Sequence, residues 1–138
     1  MPAHMTHHRV RFHELDPYDH VNHAMYVTYF EIGRVDALDE LGIGLDVLKA
    51  QGFQFVVTRI DVRFKKAATA GDDLGIETGV AKFARAFTIW GQNIRRGDDL
   101  IATAEVTVGV TDREGKPVRP EPFIFEKLQA ISLVEADA

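Results

Sequence analysis

Residues 22–42, NHAMYVTYFEIGRVDALDELG, decide the fold, because they predict one long helix from Ala24 to Leu41. Apolar side chains recur there at helical spacing and, in the first half, surround most of the circumference. Such a helix is expected to be buried and to need apolar cover on several sides. Its apolar residues are Met25, Tyr26, Val27, Tyr29, Phe30, Ile32, Val35, Ala37 and Leu41.

Both ends of this helix carry residues that favour capping. Asn22 is the predicted N-cap and Gly42 the predicted C-cap. Gly33 lies in the middle, where glycine costs about 1 kcal/mol relative to alanine, so we expect another backbone to pack closely there. Glu31 and Arg34 have the i, i+3 spacing of an ion pair.

The segment before the helix alternates as a half-buried strand does. In RVRFHEL, residues 9–15, Val10 and Phe12 share one side, which predicts the first strand. Pro17 pushes Asp16 out of helical backbone angles, so a loop must separate this strand from the helix.

Four further strands are predicted after the helix. Their apolar residues alternate, and the short turns between them favour antiparallel neighbours. Helical turns are expected at 45–52 and at 120–130. The order predicts an α+β fold, in which a curved antiparallel sheet covers the long helix. The four strands are predicted at 53–64, 74–80, 84–94 and 100–112.

Composition narrows the possible functions. The 138 residues are expected to form one domain, 1–138, without a run long enough for a membrane span. Without cysteine there is no disulfide, thiolate metal site or cysteine nucleophile. The net charge of −5 argues against a nucleic-acid binder, because such proteins neutralise phosphates with lysine and arginine. The first residues lack the apolar stretch of a secretory signal, so a soluble, cytoplasmic protein is expected.

Two common kinds of site are also not expected. The one serine, Ser132, lies in the C-terminal tail beside no histidine or acidic partner, which excludes serine-nucleophile hydrolysis with its usual motif. No glycine-rich loop with the spacing that binds nucleotide phosphates is present. The polar segment before the helix is therefore the strongest candidate site.

That segment, DPYDHVNHAMY at 16–26, admits three interpretations. Asp16, Asp19, His20 and His23 are residue types that bind zinc or iron, although the proline after Asp16 leaves the ligand geometry open. A polar loop that enters a helix also collects Asp, Asn and His for turns and capping. In the third interpretation Asp16 is catalytic, because it precedes the unpaired N–H groups at the helix start. Those donors can stabilise an oxyanion, and a thioester suits a carboxylate attacker best.

The longer segment LDPYDHVNHAMYVTYFEIGRVDAL resembles the signature of hotdog-fold acyl-CoA thioesterases of the 4-hydroxybenzoyl-CoA thioesterase family. That signature reads approximately D-x-x-x-H-V-N-N-A-x-Y, followed by an aromatic residue, Glu and Arg. FVVTRIDVRFKKAATAGDDLGIET resembles the family's second strand and following hairpin, and with the trailing strands the resemblance spans nearly the whole chain. Within that family, the segment most resembles the long-chain acyl-CoA branch. The matching residues are Asp16, His20, Val21, Asn22, Ala24, Tyr26, Glu31 and Arg34.

The resemblance implies a hotdog fold, with a curved antiparallel sheet of about five strands around the helix, and hydrolysis of acyl-CoA to acid and CoA. Asp16 is then the nucleophile or the base for water, and the backbone N–H of His23 polarises the thioester carbonyl. His23 stands where many relatives have a second asparagine, a difference that a backbone role tolerates. His20, Asn22 and Tyr26 are expected to fix the loop and cap the helix.

Substrate-binding residues are expected within 53–66. Local basic groups there would meet the CoA phosphates, and apolar side chains would line an acyl channel or belong to the core. The resemblance also implies a homodimer or homotetramer with sites between paired subunits, no metal, and no cofactor beyond the CoA of the substrate. The expected substrate-binding residues are Phe55, Val56, Val57, Arg59, Arg63, Lys65 and Lys66.

Two other functions fit the same sequence. A non-catalytic hotdog protein would bind acyl-CoA or acyl-carrier protein without turnover, since a fold does not fix a function. A hotdog dehydratase would act on 3-hydroxyacyl thioesters, but such enzymes usually depend on a differently placed histidine and acidic residue. The sequence leaves the acyl group and its carrier open.

Overall fold

The computed structural model describes residues 3–119 and 121–131. Its elements, in chain order, are β1 (His4–Arg9), α1 (His23–Glu40), α2 (Leu45–Ala50), β2 (Gln54–Phe64), β3 (Asp73–Phe83), β4 (Phe87–Arg96), β5 (Asp99–Thr111) and α3 (Pro122–Leu128). The five strands form one antiparallel sheet in the order β1-β3-β4-β5-β2. The predicted α+β class with an antiparallel sheet is therefore confirmed.

The first strand is not the predicted 9–15, because β1 ends where that segment begins. One turn of 3-10 helix follows at Phe12–Glu14. The N–H of Arg11 donates to the Glu14 carboxylate at 2.8 Å and closes this turn, while Phe12 is exposed. The alternating pattern is misleading here, because a local bond from side chain to backbone competes with strand pairing.

The long helix α1 forms close to its predicted bounds but buries one side only. Val27 and Ile32 are 40% and 37% exposed, so the prediction of a helix buried nearly all round is wrong for a single copy of the chain. α1 packs against β1 and β3, at one side of the sheet. The C-cap is Leu41, one residue before the predicted Gly42, and Gly42 follows it in the left-handed region, at φ 78°. The buried helix residues are Tyr26, Tyr29, Phe30, Gly33, Arg34, Ala37 and Leu38.

Gly33 allows a close approach between α1 and the sheet. A Cβ atom on this residue would lie 2.7 Å from Cγ2 of Ile76 and 2.8 Å from Oγ1 of Thr78. The tight contacts are thus with side chains of β3, not with another backbone as predicted. Beside them, the Gln92 amide donates to the Phe30 carbonyl at 2.9 Å and to the Thr78 hydroxyl at 3.0 Å.

Arg34 extends this buried polar group. The residue is 7% exposed, and its Nη1 donates to Oε1 of Gln92 at 2.9 Å. It does not form the predicted ion pair with Glu31. Burial lowers the pKa of Arg34, and the Glu31 carboxylate opposes that shift from a longer distance.

The strand β2 forms one edge of the sheet and pairs with β5. A register shift between Val57 and Arg59 marks a bulge. The helix-facing side of β2 is incompletely covered, since Val57 is 46% and Phe64 54% exposed. At one end of this side, Phe55 and Val57 line a cavity with the flank of α1. At the other end, the ring of Phe64 contacts Tyr26 of α1. We call the strip between these two points the α1–β2 groove. Its β2 residues are Phe55, Val57, Ile60, Val62 and Phe64, each paired with a buried residue of β5.

Glu14 ties β1, the following loop and α1 together. Its buried carboxylate accepts a hydrogen bond from the Tyr29 hydroxyl at 2.9 Å and lies 3.0 Å from Nε2 of His8. Its carbonyl accepts the N–H of Asn22 at 2.9 Å. Burial raises the pKa of Glu14, but the hydrogen bonds from the Arg11 backbone, His8 and Tyr29 outweigh burial and hold that pKa below its ordinary value. The carboxylate is therefore charged at neutral pH.

The other elements follow their predictions. The four later strands and the two short helices lie at or within a few residues of the predicted segments. Across residues 3–119 and 121–131, no helix is long and apolar enough to cross a membrane. Ser132 lies outside the described residues.

Gly33→Ala should destabilise the fold. Alanine gains about 1 kcal/mol of helix propensity, but its Cβ would overlap Ile76 and Thr78, and overpacking costs about 1–3 kcal/mol. We expect a net loss of about 1 kcal/mol in the free energy of unfolding, measured by urea denaturation. Glu40→Ala, at an exposed position in the last turn of α1, is the control and should change it by less than about 0.5 kcal/mol. A gain of stability in Gly33→Ala would contradict the close approach.

Glu14→Gln should lower the free energy of unfolding by about 2 kcal/mol at neutral pH, because hydrogen bonds to a charged group are lost. The folded-state pKa of Glu14 lies below its unfolded value. Its stabilising contribution is therefore complete above the unfolded pKa of about 4.3 and is lost as the pH falls through the folded pKa. Denaturation of both proteins across this pH range should show their difference shrinking in acid. A difference that stays constant would argue against a charged Glu14.

Candidate active site

Asp16 opens a tight turn that carries the chain from the 3-10 turn into α1. Its N–H donates to the carbonyl of His20 at 2.7 Å, and Leu15 forms a bridge with Val21. Asp19 adopts the left-handed conformation, at φ 63°, which aspartate tolerates better than most residues. These bonds fix the backbone on both sides of the Asp16 side chain.

The Asp16 carboxylate is held by its own loop. Oδ1 accepts the N–H groups of Tyr18 at 2.8 Å and His20 at 3.2 Å. Oδ2 has no hydrogen-bond partner among the residues that the structure describes. One oxygen is therefore fixed, and the other can meet a water molecule or a substrate carbon.

The start of α1 presents an unpaired backbone donor. The Asn22 side chain accepts the N–H of Ala24 at 2.9 Å, and the Asn22 carbonyl accepts the N–H of Met25 at 2.9 Å. Within the described part of the chain, the N–H of His23 meets no acceptor. It also lies at the positive end of the helix dipole, so it suits a developing oxyanion.

Tyr26 holds this loop against the turn between β2 and β3. Its hydroxyl accepts the N–H of Ala68 at 3.2 Å, and the Ala68 carbonyl accepts the N–H of Val21 at 2.9 Å. His20 forms a bridge with Thr69 beside it. Burial raises the pKa of Tyr26, so its hydroxyl stays neutral and acts as a structural hydrogen-bond partner.

Arg96 fixes the same turn from another side, and sequence reasoning missed it. Its Nη1 donates to the Asp72 carboxylate at 2.8 Å and to the Ala67 carbonyl at 3.2 Å. Asp72 also accepts the N–H of Thr69 at 2.9 Å. That backbone bond, together with the Arg96 cation, holds the pKa of Asp72 below its usual value. Asp72 directly precedes β3 and Arg96 ends β4, 24 residues later, so no local spacing pairs them in the sequence.

The predicted basic residues differ in their surroundings. Lys66 donates to the Asp99 carboxylate at 2.8 Å. Arg63 lies 3.7 Å from a carboxylate two residues earlier in β2. Arg59 and Lys65 are exposed and have no ion-pair partner in residues 3–119 or 121–131. Arg63 and Lys66 thus have a carboxylate nearby, whereas the described residues provide none for Arg59 and Lys65.

The predicted apolar residues lie on both faces of β2. Phe55 and Val57 line a cavity of about 210 Å³ between α1, α2 and the inner face of the sheet. Val56 points to the outer face of β2, because neighbouring strand residues face opposite sides. Glu31 and Arg34 lie in the wall of the same cavity.

The metal interpretation gains no geometric support. Among the described residues, no three His, Cys, Asp or Glu side chains are grouped so that they could hold a metal ion. His20 and His23 are both exposed. The loop supplies a carboxylate, which can act as nucleophile or base, and a backbone donor for an oxyanion, and these two groups can support acyl transfer.

Comparison with known proteins identifies the family of this chain. The model of the Thioesterase-like superfamily matches residues 10–128. The long-chain acyl-CoA thioesterase FadM of Escherichia coli K12 is 34% identical over 124 residues, which cover 88% of this chain and 93% of FadM. The chloroplastic acyl-acyl carrier protein thioesterase ATL3 of Arabidopsis thaliana is 27% identical over 121 residues, which cover 86% of this chain but only 64% of ATL3.

A solved structure shares the whole architecture. The probable thioesterase from Bartonella henselae superposes with a TM-score of 0.82 at 30% identity, and the match covers 86% of this chain and 99% of that one. The predicted hotdog fold is therefore confirmed. With the family match over 10–128, these likenesses show that the chain belongs to the Thioesterase-like superfamily.

Proposed function

We propose that this chain hydrolyses acyl-CoA thioesters to a carboxylic acid and free CoA. The observation that carries the proposal is the loop from Asp16 to His23. Among the described residues, Oδ2 of Asp16 and the N–H of His23 both lack a hydrogen-bond partner. Membership of the superfamily and the likeness to FadM, named a long-chain acyl-CoA thioesterase, support it.

In the proposed reaction, the thioester carbonyl oxygen accepts the N–H of His23. Negative charge grows on this oxygen as the carbon becomes tetrahedral, so a fixed donor acts most strongly in the transition state. Loss of one such donor typically lowers the rate by about 10²–10³. Because the donor belongs to the backbone, the imidazole of His23 has no required role.

Asp16 supplies the other half of the reaction by one of two routes. As a base, Oδ2 takes a proton from water, the water oxygen bonds to the thioester carbon, the C–S bond breaks, and the CoA sulfur leaves with the proton. As a nucleophile, Oδ2 bonds to that carbon and expels CoA thiolate, and water then hydrolyses the mixed anhydride. In either route the hydrogen bonds that Tyr18 and His20 donate to Oδ1 orient Oδ2.

The two ends of the substrate meet different surfaces. The CoA phosphates are proposed to lie near Arg59, Arg63, Lys65 and Lys66, because charges farther than about 8 Å are largely screened at physiological salt. The acyl chain is proposed to enter the α1–β2 groove, whose exposed apolar residues include Phe64 and Val57. The reaction needs no cofactor other than the CoA that the substrate carries.

We also propose that the chain forms a homodimer or a homotetramer. β2 is an edge strand with exposed Val56 and Val57, and an apolar edge of this kind readily pairs with another chain. A second copy would cover the open flank of α1, where Val27 and Ile32 are exposed. The single domain over 1–138 and the cytoplasmic location stay predictions.

Asp16→Asn should lower kcat/KM by at least about 10²-fold, because an amide neither attacks carbon nor accepts a proton from water. Thiol release from acyl-CoAs of several chain lengths measures the loss. Asp19→Asn is the matched control, since it lies in the same loop and asparagine tolerates the left-handed conformation, so wild-type rates are expected.

Three outcomes would refute the assignment. Equal rates for wild type and Asp16→Asn would remove Asp16 from the mechanism. Tight acyl-CoA binding by the wild type without thiol release would favour the non-catalytic binding protein. Hydration of an enoyl-CoA, followed by absorbance, would favour the dehydratase.

The oligomer prediction is tested by the molar mass from light scattering during size-exclusion chromatography. We expect a mass of two or four chains, and Val57→Lys should lower it, because a charge on an edge strand opposes pairing. Lys82→Glu, on exposed β3 surface, is the charge-changing control and should keep the wild-type mass. A stable, active wild-type monomer would contradict the proposal.

A further inference from the structure

Arg34 is a buried cation with unused hydrogen-bond donors in the wall of the cavity. Only its Nη1 has an acceptor among the described residues, the Oε1 of Gln92. A guanidinium carries five N–H donors. The other nitrogens of Arg34 are not among the fully buried atoms that lack a partner, so they remain accessible to water or to a ligand in the cavity. The cavity wall around it is otherwise mostly apolar, with Leu38, Leu45, Phe55, Val57 and Trp90.

Glu31 lines the same cavity as Arg34 without forming an ion pair or hydrogen bond with it. The cavity wall therefore carries both a donor and an acceptor. A hydroxyl group satisfies both, because it accepts a hydrogen bond and donates one. A methyl group offers Arg34 no acceptor. A carboxylate would be attracted by Arg34 but repelled by Glu31, and it has no hydrogen to donate to Glu31.

The cavity lies in line with the proposed reaction centre. His23, Val27, Glu31, Arg34 and Leu38 share one stripe of α1 by helical spacing. The 11 residues from His23 to Arg34 span about 16 Å along the helix. The exposed Val27 lies between the two ends and, with the inner face of β2, gives this path an apolar wall.

We propose that the α1–β2 groove leads a long acyl chain from His23 to this cavity, where Arg34 and Glu31 bind a hydroxyl group near the distal end of the chain. The preferred substrates are then thioesters of distally hydroxylated long-chain acids. This inference rests on the proposed function, because the thioester carbonyl has to sit at the start of α1. It assigns Glu31 and Arg34 to substrate selection and not to the chemical step.

The test compares acyl-CoAs of equal length that end in a hydroxyl or in a methyl group, with acetyl-CoA as the short substrate. Wild-type kcat/KM should be about tenfold higher for the hydroxylated chain, as expected for hydrogen bonds to charged groups. Glu31→Gln should reduce this preference and admit a carboxylate-terminated chain. Glu40→Gln, an exposed position on the opposite side of α1, is the matched control and should keep the wild-type preference.

Arg34 also orients Gln92, so its replacement can unfold the protein, and Leu45→Phe, at the α2 wall of the cavity, provides a second test. Phenylalanine at this exposed wall position should fill the cavity and lower kcat/KM for both long chains, while acetyl-CoA hydrolysis stays unchanged. Equal loss on all three substrates would overturn the path along the groove.

A binding experiment separates this inference from the proposed function. Calorimetry of Asp16→Asn measures the affinity for the free hydroxylated acid and for its unsubstituted analogue, without turnover. We expect tighter binding of the hydroxylated acid. If wild type hydrolyses both long thioesters equally and the two acids bind equally, the inference fails while the function stands. If no thioester is hydrolysed, the proposed function is refuted. The relative affinity for the two acids then still tests whether the cavity binds a hydroxyl group.

Discussion

The close approach of α1 to the sheet at Gly33 is the constraint on which the rest of the structure depends. A side chain there would meet Ile76 and Thr78, and the space that glycine leaves is closed by those two residues and by Gln92. The Gln92 amide then binds the helix backbone at Phe30 and the guanidinium of Arg34. One missing Cβ thus lets a buried polar side chain bind the helix and the sheet together.

This contact fixes where α1 begins and which of its sides remain open. Because α1 packs on the β1 and β3 side, its start lies beside the loop that Glu14 holds. Its other flank shares a cavity with Phe55 and Val57 of β2. The packing of α1 therefore sets the positions of both the reactive groups and the apolar groove. The loop bonds position the carboxylate of Asp16, and the helix start supplies the backbone donor of His23.

Local signals in the sequence predict most of the elements. The N-cap at Asn22, the glycine after α1 and the alternating strands are properties of a few neighbouring residues, and the structure has each of them. The prediction of a strand at 9–15 is wrong. The N–H of Arg11 donates to the Glu14 side chain instead of pairing with another strand, and an alternating pattern contains no information about such a bond. The sequence predicts that Gly33 is a point of close packing. It does not predict the partners, which are side chains of β3 and not a second backbone.

The sequence by itself determined the class of fold, the strand–loop–helix context of Asp16 and, through its resemblance to a family, the hydrolytic chemistry. Those features depend on residue type and on spacing within a short segment. Only the tertiary structure decided that Arg96 reaches Asp72, that Glu14 joins His8 and Tyr29, and that Arg34 turns to Gln92 instead of Glu31. These contacts join residues distant in the chain, and burial selects among the partners that the sequence leaves open, because a buried polar group without a partner is costly.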